Sequence, residues 1–184
     1  KPIGPFYTEE EAKKLQAEKG YTVKEDAGRG WRREVPSPMQ RKKVELETVK
    51  KWWNSKIVVK CGGGGIPLIE LEDGSLEGVA AVIDKDLAAE RLAEDMDADI
   101  LLILTEVEQV AINFNKPNQQ NLSTLTVEEA IKYMEEGHFA PGSMLPKVQA
   151  AVKFAQSKPN RKAIITSLYK AVDALEGRSG TVIQ

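Results

Sequence analysis

With 184 residues, 29% of them charged and 41% hydrophobic, the chain has the make-up of a folded globular protein and is long enough to bury a sizeable core. A net charge of −2 and a pI near 5.7 argue against a dedicated nucleic-acid binder. The one cysteine, Cys61, excludes an internal disulfide and fits a reducing compartment, and no apolar run reaches the roughly 20 residues of a membrane span.

The opening Lys1-Pro2-Ile3-Gly4-Pro5-Phe6 has no signal-peptide layout and reads as a cut from something longer. Thr8 followed by Glu11 is a capping-box pattern and predicts a charged helix that stops near Gly20. Residues 21–23 and 32–35 read as short strands flanking Asp26-Ala27-Gly28-Arg29-Gly30-Trp31, and Pro36 and Pro38 mark an extended exit. This stretch is rich in glycine, proline and charge, with too little apolar content for a core of its own. Residues 1–43 are therefore expected to form a projecting hairpin-plus-helix subdomain, carried by a larger body over 44–184.

From Val44 the pattern alternates between helix and strand. Leu46, Val49, Trp52 and Trp53 mark a helix, whose adjacent tryptophans should point one to the core and one to a neighbour or interface. Ile57-Val58-Val59 reads as a short strand running into Cys61-Gly62-Gly63-Gly64-Gly65-Ile66-Pro67, and a hairpin follows with Asp73-Gly74 as its turn. Leu87, Ala88, Arg91 and Leu92 lie on a helix, and Ile100-Leu101-Leu102-Ile103-Leu104 is a fully apolar strand. Helices are expected from about Val127 and after Gly142, then the strand Ala163-Ile164-Ile165, a last helix, and the closing strand Thr181-Val182-Ile183. Apolar strands alternating with amphipathic helices imply an α/β class, with a mainly parallel sheet covered on both faces.

Several stretches point to anion chemistry. In Gly142-Ser143-Met144-Leu145-Pro146-Lys147, Pro146 suits a first helical turn, and Lys147 falls where the helix already carries free N–H groups and about half a positive charge. Like polarities meet there, which suits either a bound phosphate or an ordinary surface lysine. Four glycines after a strand let backbone N–H groups turn toward a ligand, although no Gly-Lys-Ser/Thr follows as in a Walker A loop. In Asp84-Lys85-Asp86, one carboxylate is expected to cap the next helix, while Lys85 is a local salt-bridge partner or a phosphate-neutralising cation. Thr105-Glu106-Val107-Glu108-Gln109-Val110 and Asn113-Phe114-Asn115-Lys116-Pro117 would suit a purine, and equally an ordinary loop. His138, the one histidine, reads as a loop residue satisfying local hydrogen bonds, and no Cys/His cluster has zinc-ligand spacing.

Taken together, these stretches resemble the amino-acid-kinase superfamily, and within it the carbamate kinases. The resemblance rests on Lys1-Pro2-Ile3-Gly4-Pro5-Phe6, on EDAGRGWR from Glu25 to Arg32, and on Val35-Pro36-Ser37-Pro38. Further along it rests on CGGGGIP from Cys61 to Pro67, AVIDKD from Ala81 to Asp86, and HFAPGSMLPK from His138 to Lys147. It implies a three-layer α/β/α sandwich and phosphoryl transfer between ATP plus carbamate and ADP plus carbamoyl phosphate, with Mg2+ carried by the nucleotide and no metal held directly by the protein. It implies also a homodimer in the cytoplasm, with no nucleic-acid or membrane partner, serving arginine breakdown by the deiminase route.

By resemblance Lys1, Lys85, Asp86 and Lys147 are the catalytic set. Lys1 and Lys85 reach phosphate, Asp86 orients the lysines, and Lys147 neutralises charge on the nucleotide side. Gly62, Gly63, Gly64 and Gly65 would approach the phosphoryl or carbamate group. Thr105, Val110, Phe114, Pro117, Gly142, Ser143 and Met144 would bind the nucleotide. The family's N-terminal half, with its Gly-Asn-Ala loop, is not in this sequence, so residues 44–184 are expected to be the nucleotide lobe and the isolated segment inactive or nearly so. Two other readings remain at this point: a relative acting on N-acetylglutamate, glutamate or UMP, or a non-catalytic nucleotide-binding module.

Overall fold

The computed structural model describes residues 1–59 and 65–184, which fall into two compact units, one of residues 1–39 and 65–84, the other of 40–59 and 85–184. In the first unit, β1 (Pro2–Tyr7), β3 (Trp31–Glu34) and β2 (Thr22–Glu25) form an antiparallel sheet in that spatial order. Helix α1 (Glu9–Lys19) joins β1 to β2, and its capping box is complete. Thr8 Oγ1 accepts the Glu11 N–H at 3.2 Å, and Glu11 Oε2 accepts the Thr8 N–H at 2.9 Å. Gly20, at φ 65°, closes the helix in the left-handed conformation.

Little apolar surface is buried here, chiefly Ala12 and Val35. Guanidinium–ring stacking takes its place: Arg29 and Arg32 lie 5.3 and 5.1 Å from the Phe6 ring, and Arg33 lies 3.9 Å from Tyr21. Strand β1 has no strand signal in the sequence because Pro2, Gly4 and Pro5 are poor strand formers. It forms as an edge strand, where proline costs least, with an irregular register between Ile3 and Tyr7. The hairpin β4 (Leu68–Glu70) and β5 (Leu76–Gly78) turns at Gly74, φ 81°, as the Asp-Gly pair predicts.

The second unit holds α2 (Leu46–Trp53), α3 (Lys85–Asp95), β6 (Ile100–Thr105), β7 (Val110–Ile112), β8 (Gln120–Leu122), β9 (Thr124–Leu125), α4 (Val127–Glu135), α5 (Met144–Gln156), β10 (Lys162–Ser167), α6 (Ala171–Leu175) and β11 (Thr181–Ile183). Its sheet runs β6-β10-β11-β9, with β6–β10 and β9–β11 parallel and β10–β11 antiparallel. Central β10 is buried on both faces from Ala163 to Thr166. Helix α5 packs on it through Val148, Ala151, Val152 and Phe154, with α3 and α4 flanking α5. Gly180, at φ 82°, lets the chain enter β11 against β10, where a β-carbon would stand 3.0 Å from Thr166 Cβ. The β7–β8 hairpin is tied to β11 by Thr181 Oγ1, which accepts the Val110 N–H at 2.8 Å. No helix among the described residues is long and apolar enough to cross a membrane.

Two expectations are corrected. Ile57-Val58-Val59 is not a strand but irregular chain, with Ile57 97% and Val59 93% exposed. No strand among the described residues pairs with it, and a three-residue run without a partner cannot satisfy its backbone as a strand. Neither tryptophan of α2 turns to the core: each is half exposed, and the buried position is Val49. Trp52 stacks under the Lys56 ammonium at 5.7 Å instead.

Candidate active site

Helix α5 begins without a built-in counter-charge. Ser143 makes no side-chain capping bond, and no acidic residue stands in the first turn. The loop before it curls on itself, with the N–H groups of Ser143 and Leu145 both donating to Ala140 O, at 3.1 and 3.0 Å. Pro146 fits the first turn, as its ring and missing donor require. Lys147 then points inward, 8% exposed, with Nζ 2.9 Å from Asp86 Oδ2 in the first turn of α3. An ammonium at the positive end of a helix, withdrawn from water, has both the dipole and desolvation against it. The Asp86 carboxylate offsets part of that cost. Fold stability alone does not explain the arrangement.

A cleft of about 520 Å³ opens beside the start of α5, within the range of small-molecule sites. Val107, Phe114 and Met144 give it apolar walls, while Gln109, Asn113 and Lys116 bring amide and ammonium groups. His138 lies on its rim, held from three sides. Its Nδ1 accepts the Asn113 N–H at 3.4 Å, its Nε2 is 3.3 Å from Glu136 Oε2, and its ring meets Tyr133 edge-on at 5.4 Å. With Nδ1 as the acceptor, Nε2 is the nitrogen that faces Glu136. The histidine therefore ties the Asn113–Phe114 loop to the α4–α5 connection, which is a positioning contact.

Thr105, Phe114, Ser143 and Met144 gather on this cleft. Val110 does not: it is fully buried in the core, and its neighbour Ala111 lines the cleft instead. Pro117 and Gly142 are exposed and lie outside the lining. Lys85, exposed at the start of α3, borders a second cavity of about 380 Å³ together with Asp86, Trp53 and Leu102. Within the first unit, Lys1 Nζ reaches Asp84 Oδ2 at 2.8 Å. Gly65 has open space where a β-carbon would stand, and Gly62, Gly63 and Gly64 lie outside the described residues. Gln109 and Asn113 were visible only as amides in a polar loop. Nothing in their spacing showed that Gln109 would anchor to Gly180 O at 3.2 Å or that Asn113 would meet His138.

A family profile described as Amino acid kinase family matches residues 7–167. The chain belongs to the amino acid kinase family. A carbamate kinase of Clostridium perfringens is 60% identical over the whole chain, and one of Pyrococcus furiosus is 56% identical. The chain spans 58% of the length of each. The solved carbamate kinase from Giardia lamblia bound to AMP-PNP superposes with a TM-score of 0.89 at 47% identity, covering all of this chain and 58% of that one. The mixed α/β architecture is thus that of the amino acid kinase fold.

Proposed function

We propose that the protein to which this chain belongs is a carbamate kinase, transferring a phosphoryl group between ATP and carbamate or, in reverse, from carbamoyl phosphate to ADP. The observation that carries the reading is the buried Lys147–Asp86 pair at the uncapped start of α5, beside a cleft of nucleotide size. Phosphoryl transfer asks the protein for positioning and charge stabilisation more than for a nucleophile, and a fixed ammonium with helix N–H groups supplies both. We assign Lys147 to the nucleotide's phosphates and Asp86 to holding that lysine. Lys85 and Lys1 are assigned to the transferring group, and residues 1–43 to a lid. Gly62 to Gly65 would approach the acceptor. The purine is assigned to the Phe114–Met144 side of the cleft.

The polar donors lining the cleft include ammonium and amide groups, which suit phosphate and base edges. We therefore propose that Mg2+ arrives on the nucleotide's phosphates rather than in a protein cage, and that it neutralises phosphate charge when bound. A cytoplasmic homodimer serving arginine breakdown is part of the same proposal, supported by the likeness to carbamate kinases over the whole chain.

The test is ATP formation by the purified full-length protein from ADP with carbamoyl phosphate, set against acetyl-glutamyl phosphate, glutamyl phosphate and UDP as donors. Turnover confined to carbamoyl phosphate is the expected result. Turnover with another donor alone would move the protein to a different branch of the family. ADP binding without transfer from any donor would make it a nucleotide-binding module.

A further inference from the structure

Glu90 is an ionisable side chain with no solvent exposure at all, and the phosphate chemistry above makes no use of it. It follows Asp86 by four residues on α3, and Glu94 follows it by four more, so three carboxylates line one stripe of the helix. Helix α5 answers with only two ammonium groups. Lys147 takes Asp86, and Lys153 lies 2.6 Å from Glu90 Oε2 and 3.4 Å from Glu94 Oε1. Of the remaining neighbours, the Arg91 guanidinium acts on Glu90 through space only, its close contacts being made elsewhere. Arg91 is engaged by Glu94 and Asp95, and the facing strand β6 presents only apolar residues from Ile100 to Leu104.

The other oxygen of Glu90, Oε1, meets no donor. A buried carboxylate oxygen without a donor is costly, and a proton on it removes the cost by letting it donate to Glu94. Burial first, and the Glu94 carboxyl second, push Glu90 up to about 7 against the pull of Lys153. The same contact holds Glu94 below the usual carboxylate range.

We propose that Glu90 is a positioning residue: it holds a proton shared with Glu94, and the resulting pair, gripping Lys153, fixes the register of α5 on α3 and with it the Asp86–Lys147 contact. When the proton leaves, two negative charges share one ammonium that is 39% exposed and an Arg91 guanidinium already engaged by Asp95, and the two helices separate at this rung. Lys147 lies six residues back along α5 and becomes more accessible. The consequence for phosphate binding rests on the carbamate-kinase reading. The register itself does not.

The direct test follows acylation of Lys147 by acetic anhydride, read by peptide mass spectrometry, in the purified protein and in Glu90→Gln between pH 6 and 8.5. Glutamine mimics the protonated acid, and the ratio of the two rates cancels the lysine's own titration. The wild-type rate should match that of Glu90→Gln at pH 6 and exceed it severalfold at pH 8.5. Lys153→Gln, which removes the cation that favours ionisation, should move the rise to higher pH. A ratio that stays at one across the range, with no displacement in Lys153→Gln, overturns the proposal. ADP affinity measured on the same samples should weaken with pH more in wild type than in Glu90→Gln. If neither protein binds ADP while the acylation ratio behaves as stated, the nucleotide reading fails and the positioning role stands.

Discussion

Lys147–Asp86 and Lys1–Asp84 are the same chemical pair at nearly the same length, 2.9 and 2.8 Å, yet they do different physical work. The first is buried on both sides, with side-chain exposures of 10% and 12%. In the second, the lysine is 36% exposed. Water and salt compete for the second pair and barely reach the first. Burial rather than separation therefore sets what each pair can contribute. A withdrawn ammonium is pre-aimed and poorly screened, which suits charge stabilisation. A half-exposed one exchanges partners cheaply, which suits a group that must take up and release a ligand.

Lys147→Met should give the largest effect, about a 10²–10³-fold loss of turnover in ATP formation, the scale for removing one fixed electrostatic donor. Unchanged turnover would collapse the distinction between the pairs. Asp86→Asn keeps the shape and removes the charge that holds Lys147. Loss of a charge-assisted hydrogen bond of about 1.5–3 kcal/mol corresponds to roughly 10–100-fold in turnover, with the fold retained by circular dichroism. His138→Leu, which leaves Asn113 without its acceptor, should weaken ADP binding by about 3–10-fold in calorimetry. An unaltered affinity would show that the Asn113–Phe114 loop holds its place unaided.

The smallest effects are in stability. Thr126→Ala removes the side-chain cap of α4 and should cost about 1 kcal/mol in denaturant unfolding without changing turnover. Lys1→Met should cost no more than about 1 kcal/mol of stability, and that cost should shrink in about 1 M salt. A large, salt-resistant loss would show that the Lys1–Asp84 pair behaves like the buried one after all.

The second unit was legible wherever burial imposes a period. The apolar run at β6, the run at β10 and the Thr8–Glu11 capping box all appear where the sequence places them, because hydrophobic spacing and cap chemistry are local signals. Strand β1 escaped notice because its pairing with β3 outweighs a proline- and glycine-rich sequence. Residues 57–59 misled for the opposite reason: β-branched residues favour a strand only when another strand accepts their hydrogen bonds. Lys147 was readable from its place after Pro146. Its partner Asp86, 61 residues away in sequence, could be tied to it only through family resemblance until α3 and α5 were seen to pack. Val110 looked like a loop residue next to Gln109, and nothing local told that Thr181 would draw it into the core.

Strand β10, flanked by β6 and β11 and sealed from Ala163 to Thr166, also has a kinetic consequence. Backbone amides there, and on the α5 face that covers them, can exchange with deuterated solvent only through openings close in free energy to global unfolding. The arginine-stacked hairpin unit, with few buried apolar groups, should exchange far sooner. Lys147 thus hangs from the slowest-opening part of the molecule, so a change at the Glu90 rung should move α5 against α3 without opening the sheet beneath it.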